Sequence, residues 1–159
     1  MRRGAAGGGD VARLIPPDGE HGDLILTLPE FFAFGEALGR RASVSVPCVV
    51  TLTGDLGAGK TTLTRAIGRG FGIGEPVTSP TFSLVHEYRA ERGEFFHLDL
   101  YRISGPHELA NIGWDEMFHE RGLVVIEWPD RAGSLIPSDA LAITLTHIDG
   151  DESRRRVQW

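Results

Sequence analysis

The chain has 159 residues, 41% of them apolar and 24% charged, with a formal net charge of −6 and a pI near 5.5. That length and balance suit a single soluble domain with a real core, and the acidity argues against a dedicated nucleic-acid binder, which carries a basic patch. No apolar run approaches a membrane span, the cations of Met1-Arg2-Arg3-Gly4 precede no apolar secretory stretch, and the single Cys48 can form no internal disulfide, so a reducing cytoplasm is the expected location.

Residues 1–22 hold six glycines, the pair Pro16-Pro17 and little apolar periodicity. They read as a flexible tail ahead of one folded domain over 23–159. Leu24-Ile25-Leu26 is a short strand. Thr27-Leu28-Pro29-Glu30 has capping-box spacing with proline in the first turn. The helix it starts carries Phe31, Phe34 and Leu38 on one face, as core rather than as a ligand cage. Residues 46–53 are apolar and rich in β-branched side chains, and predict a buried strand on which Cys48 is a structural thiol. That strand runs into Gly54-Asp55-Leu56-Gly57-Ala58-Gly59-Lys60-Thr61. Residues 61–71 then predict a helix, with Leu63, Ala66, Ile67 and Gly70 on one face and Gly72 as its stop.

Strand, glycine-rich turn and helix are the setting that G-x-x-x-x-G-K-[ST] requires, so the turn reads as a P-loop. Lys60 is the only lysine in the chain; every other cation is arginine. An ammonium is a compact point charge, whereas a guanidinium is a planar fork, and a phosphate cradle calls for the former. Backbone N–H groups over 55–62 would wrap phosphates, Lys60 would reach the β- and γ-phosphates, and the Thr61 hydroxyl would hold Mg²⁺.

Residues 72–81 are a loop by their glycine and proline punctuation. Strands are expected over 82–88 and 95–101, joined as a hairpin through 89–94. Short helices are expected from Gly105-Pro106 through Asn111 and over 115–120. Leu123-Val124-Val125-Ile126 is a fully apolar strand ending in Glu127-Trp128-Pro129-Asp130-Arg131. Strands over 141–148 and 155–159 flank an Asp149-Gly150 turn. Helices alternating with apolar strands around a phosphate loop indicate an α/β nucleotide-binding domain.

A P-loop enzyme needs a carboxylate at a strand end, for Mg²⁺ or for the attacking water. Glu127 is the better placed by this criterion, since four consecutive apolar residues mark a central parallel strand. Asp99, inside the alternating stretch Phe95-Phe96-His97-Leu98-Asp99-Leu100, is either a second such acid, or else a residue of a solvated strand face or a partner for Arg102. Thr78-Ser79-Pro80-Thr81 reads equally as a switch that senses the γ-phosphate and as a turn before a strand. His86 and His97 read as core or surface residues rather than catalytic ones, and no Cys/His spacing suggests a transition-metal site.

Four motifs in order carry a resemblance: the phosphate turn through Thr62, then Ser79-Pro80-Thr81-Phe82, then His97-Leu98-Asp99-Leu100-Tyr101-Arg102, then Ile126-Glu127-Trp128-Pro129-Asp130-Arg131. From about Leu28 to the last strand the chain resembles the TsaE (YjeE) family of bacterial ATPases in tRNA threonylcarbamoyladenosine biosynthesis. The resemblance implies a P-loop NTPase-like sheet of mixed, mostly parallel order flanked by helices, and binding of ATP or ADP with Mg²⁺. It implies slow ATP hydrolysis by the chain alone and action with two protein partners, the complex that transfers threonylcarbamoyl to adenosine 37 of tRNAs reading ANN codons. Contact with tRNA would be indirect. By the same resemblance Asp55, Leu56, Gly57, Ala58, Gly59, Lys60, Thr61 and Thr62 bind nucleotide, Trp128 adjoins it, Thr61 and Glu127 are the Mg²⁺ ligands, Asp99 is the essential acid beside the site, and Thr81 lies in a switch-like loop.

Two other P-loop classes compete. A small-molecule kinase needs an arginine-bearing lid, and 89–92 is too short for one. A regulatory GTPase needs a guanine clamp of the Asn-Lys-x-Asp type, and the chain has no second lysine.

Overall fold

The computed structural model describes residues 21–42, 48–80, 83–119 and 121–159. Of the tail expected over 1–22, residues 1–20 lie outside them, as do the first two residues of the strand expected from Val46, and Thr81, Phe82 and Glu120; Gly22 departs from the expected tail, its backbone pairing with Trp159 at 3.0 and 3.1 Å.

The chain forms one sheet. Its strands are β1 (Asp23–Thr27), β2 (Cys48–Thr53), β3 (Val85–Ala90), β4 (Gly93–Asp99), β5 (Gly122–Glu127), β6 (Leu141–Ile148) and β7 (Asp151–Gln158). They lie in the order β1-β7-β6-β2-β5-β4-β3. Strands β6, β2, β5 and β4 are parallel to one another, while β3, β7 and β1 pair antiparallel at the two sides. This is the expected α/β class with a mixed, mostly parallel sheet. The carboxyl ends of β2, β4 and β5 therefore lie at the same side of the sheet, which is where ligands of such sheets bind.

Two helices cover one face. In α1 (Leu28–Arg41) the Thr27 hydroxyl accepts from the Glu30 N–H at 3.4 Å, and the Glu30 carboxylate accepts from the Thr27 N–H at 2.8 Å. The capping box expected from the spacing is thus formed. Phe31, Phe34 and Leu38 are buried, as their periodicity requires. Helix α2 (Lys60–Phe71) ends at Gly72, which adopts φ 106° and so closes the helix with a left-handed residue that a side chain would strain. The two helices touch backbone to backbone. A Cβ on Gly70 would lie 1.9 Å from the Glu36 carbonyl oxygen, and one on Gly39 would lie 2.0 Å from that of Ile67.

The continuous apolar run of β5 divides between two cores. Leu123 and Val125 join Leu63, Ile67, Phe71 and Phe95 under α1 and α2. Val124 and Ile126 join Phe96, Leu98, Leu109, Trp114 and Met117 on the opposite face. That second face is covered by a 3₁₀ helix (Pro106–Ile112) and the short α3 (Trp114–Met117).

Several expected boundaries move. Strand β4 starts two residues early and ends at Asp99 rather than at Tyr101. It is also not alternating: Phe95, Phe96, His97 and Leu98 are all buried, because β4 lies between β5 and β3 with both faces covered. The hairpin turn between β3 and β4 is only Glu91-Arg92, since Ala90 pairs with Gly93. Strand β7 begins at Asp151, four residues earlier than expected. No helix among the described residues is long and apolar enough to cross a membrane.

Candidate functional site

The phosphate turn lies between β2 and α2. Gly57 and Gly59 hold φ of 79° and 108°, values that glycine adopts without strain. Ala58 is buried and its N–H donates to the Asp55 carbonyl at 3.0 Å, so the turn folds on itself. Leu56 is 66% exposed at the tip. No side chain caps α2 at Gly59, which leaves the first-turn N–H groups available to an anion, reinforced by the helix dipole.

Lys60 is 5% exposed. Its ammonium donates to the carbonyls of Gly54 (2.5 Å) and Asp55 (2.9 Å) and lies 4.3 Å from the Trp128 ring centroid, a cation–π contact. Burial lowers its pKa, against the opposing pull of Glu127, Asp99 and Asp55. Trp128 itself has φ 59°, an uncommon conformation for a bulky residue. Held so, its indole lies beside both Lys60 and Tyr101, the latter 4.9 Å away ring to ring.

The two acids meet in register. Asp99 ends β4 directly opposite Glu127 at the end of β5, and Glu127 is opposite Leu52 on β2. The Thr61 hydroxyl reaches both Glu127 carboxylate oxygens, at 3.0 and 3.3 Å, and can donate to one at a time. Asp99 accepts from the Tyr101 N–H at 3.0 Å, which turns the chain out of the sheet and explains why β4 stops there. Burial raises the Asp99 carboxyl above its ordinary pKa; the Tyr101 N–H opposes this, Glu127 adds to it, and His97 and Lys60 oppose it further.

Thr61 and Glu127 present hard oxygen donors within hydrogen-bond distance of each other, and Asp99 adds a third oxygen site on the neighbouring strand. That donor set suits Mg²⁺, which takes one or two carboxylates and completes its shell with water and substrate phosphate. Among the described residues no group of three or more His, Cys, Asp or Glu is placed to hold a metal alone.

The structure brings together Asp55, Leu56, Gly57, Ala58, Gly59, Lys60, Thr61 and Thr62 with Asp99, Glu127 and Trp128. Thr81 lies outside the described residues. Arg131 donates to the Ile103 carbonyl at 3.5 Å.

One residue set aside in the sequence belongs here. His97 is fully buried and its Nε2 meets Glu127 Oε2. Its Nδ1 lies 3.2 Å from the Thr78 carbonyl oxygen. The signal was present in the period of two: Phe95, His97 and Asp99 alternate with Phe96 and Leu98, and Phe95 packs under α2. Reading the stretch as half solvated concealed it.

A family model described as "Threonylcarbamoyl adenosine biosynthesis protein TsaE" matches residues 27–157. Proteins named "tRNA threonylcarbamoyladenosine biosynthesis protein TsaE" are similar over much of the chain. That of a Nostoc species is 42% identical over 114 residues, covering 69% of this chain and 68% of its own. That of Bacillus subtilis is 39% identical over 104 residues, covering 65% of each. The alignments thus span about two thirds of those relatives' length. A crystal structure of YdiB from Bacillus subtilis superposes with a TM-score of 0.69 at 28% identity, covering 87% of this chain and 84% of that one.

Proposed function

The chain belongs to the TsaE family of tRNA threonylcarbamoyladenosine biosynthesis, and from that premise we propose that it is a Mg²⁺-dependent ATPase that acts with the two-protein threonylcarbamoyl transferase complex. The observation that supports this most is the Thr61 hydroxyl on the Glu127 carboxylate, 3.0 Å apart, with Lys60 buried in the adjoining turn.

Each residue then has a role. Backbone N–H groups from Gly57 to Thr62 wrap the phosphates of ATP or ADP at the start of α2. The Lys60 ammonium leaves the carbonyls of Gly54 and Asp55, which can only accept hydrogen bonds, for the more strongly attracting phosphate oxygens. Trp128 limits where that ammonium can go and walls the nucleotide. Thr61 and Glu127 would hold Mg²⁺, which when bound would supply positive charge beside the phosphate oxygens. Asp99 either orients the attacking water or holds the cation through water. Thr81 belongs to the switch that follows the γ-phosphate. Contact with tRNA is through the partners.

Adenine over guanine is the testable core of this reading. A ligand bound to the folded state raises apparent stability, so Mg-ATP is expected to raise the melting temperature more than Mg-GTP at equal concentration. An equal or larger rise with Mg-GTP would reverse the assignment.

A further inference from the structure

His97 connects two parts of the molecule that the sequence treats separately. A carbonyl oxygen only accepts, so the 3.2 Å approach of Nδ1 to the Thr78 oxygen places the Nδ1–H there. The other ring nitrogen is then committed to Glu127, and that contact needs one proton on the Nε2–Oε2 axis. Both residues are buried, His97 completely and Glu127 to 2% exposure. Neither ring nitrogen has water to turn to, and an orphaned buried partner is costly.

The Thr78 peptide is held from several elements at once. Its N–H donates to the Tyr88 hydroxyl at 3.0 Å, and its carbonyl accepts from His86 Nδ1 at 3.1 Å as well as from His97. Arg65 Nε on α2 donates to the preceding Val77 carbonyl at 3.0 Å. Of these holds, only the one from His97 continues to a site acid. Through Glu127 it reaches the Thr61 hydroxyl on the first turn of α2. Buried Thr64 offers a contrast: its hydroxyl turns back onto the Lys60 carbonyl of its own helix at 2.9 Å and connects nothing else.

We propose that His97 is a positioning residue that ties the loop between α2 and β3 to Glu127, so that the backbone at Thr78 takes its position from the occupancy of the nucleotide site; this rests on the nucleotide reading above. Thr61 and Glu127 rearrange when a nucleotide and its cation arrive. His97 is locked between Glu127 and Thr78 and cannot follow one without moving on the other. Coupling of this kind is established by a response at one end to a change at the other, not by proximity.

The test is amide hydrogen exchange at Val77, Thr78 and Ser79 with and without Mg-ATP. In the wild-type chain Mg-ATP should change exchange there by at least about threefold. His97→Asn keeps a polar group toward Thr78 and His97→Gln keeps one toward Glu127, so each breaks the bridge at a different end. Both are expected to bind Mg-ATP within about tenfold of wild type and to lose the response at Thr78. Tyr88→Phe removes the hydroxyl that holds the Thr78 N–H and spares the bridge. It should raise exchange in both states and keep the response to Mg-ATP. The ring-nitrogen NMR signals of His97 in the wild-type chain give a measurement that no misfolded variant can obscure, and they should shift on saturation with Mg-ATP. Folded His97 variants with an undiminished response, or His97 signals unmoved by saturating Mg-ATP, would overturn the inference alone. Failure of the wild-type chain to bind Mg-ATP would overturn the nucleotide reading, and the inference with it.

Discussion

Lys60 carries a charge that fifteen arginines could have supplied, and its surroundings show why charge is not the point. The ammonium fits between two carbonyls and the Trp128 ring; a guanidinium is wider, planar and unable to occupy that space in the same way. Lys60→Arg is expected to cost at least about 3 kcal/mol of transition-state stabilisation, the scale of a lost electrostatic donor. Steady-state turnover below about a hundredth of wild type would agree, and retention of more than about a tenth would not. Asp99 separates stability from activity. Its carboxyl is raised in the folded chain, mainly by burial. The folded state therefore holds its proton to higher pH than the unfolded state, and stability falls as pH rises from the ordinary aspartate value through the raised one. Asp99→Asn keeps the acceptor for the Tyr101 N–H and removes that loss. It should raise the melting temperature near about pH 7, with the gain shrinking toward acid pH, while turnover is lost and nucleotide binding is kept. Calorimetry across pH checks the first part; a gain that grows toward acid pH would refute the sign. The placement of Glu127 at the end of a central parallel strand was legible from the four apolar residues before it. The inward direction of His97 was legible in the period of two it shares with Phe95 and Asp99, but its partner Glu127, 30 residues on, leaves no local pattern.

Helices α1 and α2 set the position of the phosphate turn, since α2 begins at Lys60 and is held against α1 by glycine contacts. Gly70→Ala tests this with two opposed magnitudes. Alanine inside a helix gains up to about 1 kcal/mol over glycine by propensity. The added Cβ would lie 1.9 Å from the Glu36 carbonyl oxygen, and forcing backbones apart costs about 1–3 kcal/mol. Net destabilisation in urea unfolding is expected, together with weaker nucleotide binding, and a stabilised variant would show that the helices are free to part. The elements with chemical punctuation were readable in sequence: the capping box at Thr27, the stop at Gly72, and the turn at Asp149-Gly150 all form as spaced. Strand limits were readable only where tertiary surroundings matched the simple pattern. The limits of β4 shifted because its end is decided by the Asp99 turn and its burial by the core layers on both faces of the sheet, neither of which is a property of the stretch itself.

At the scale of the whole molecule, the proposed function turns on charge and partners. The net charge is −6, and the densest run of cations, Arg154-Arg155-Arg156, is already engaged: Arg154 with Asp151 at 2.5 Å and Arg156 Nε with Asp23 at 2.8 Å. Such exposed pairs add little stability, but they leave fewer free cations for a phosphate backbone, which draws most of its affinity from clustered positive charge. The isolated chain is therefore expected to bind tRNA weakly, and the proposed ATPase site to depend on partners that order the loop around Thr78 or add charge to the phosphates. Steady-state ATP hydrolysis by the purified chain, measured with and without the threonylcarbamoyl transferase complex, tests this most directly. Slow turnover alone, raised at least about tenfold by the complex and abolished in both conditions by Lys60→Arg, is the expected result; turnover that is the same with and without the complex would contradict it.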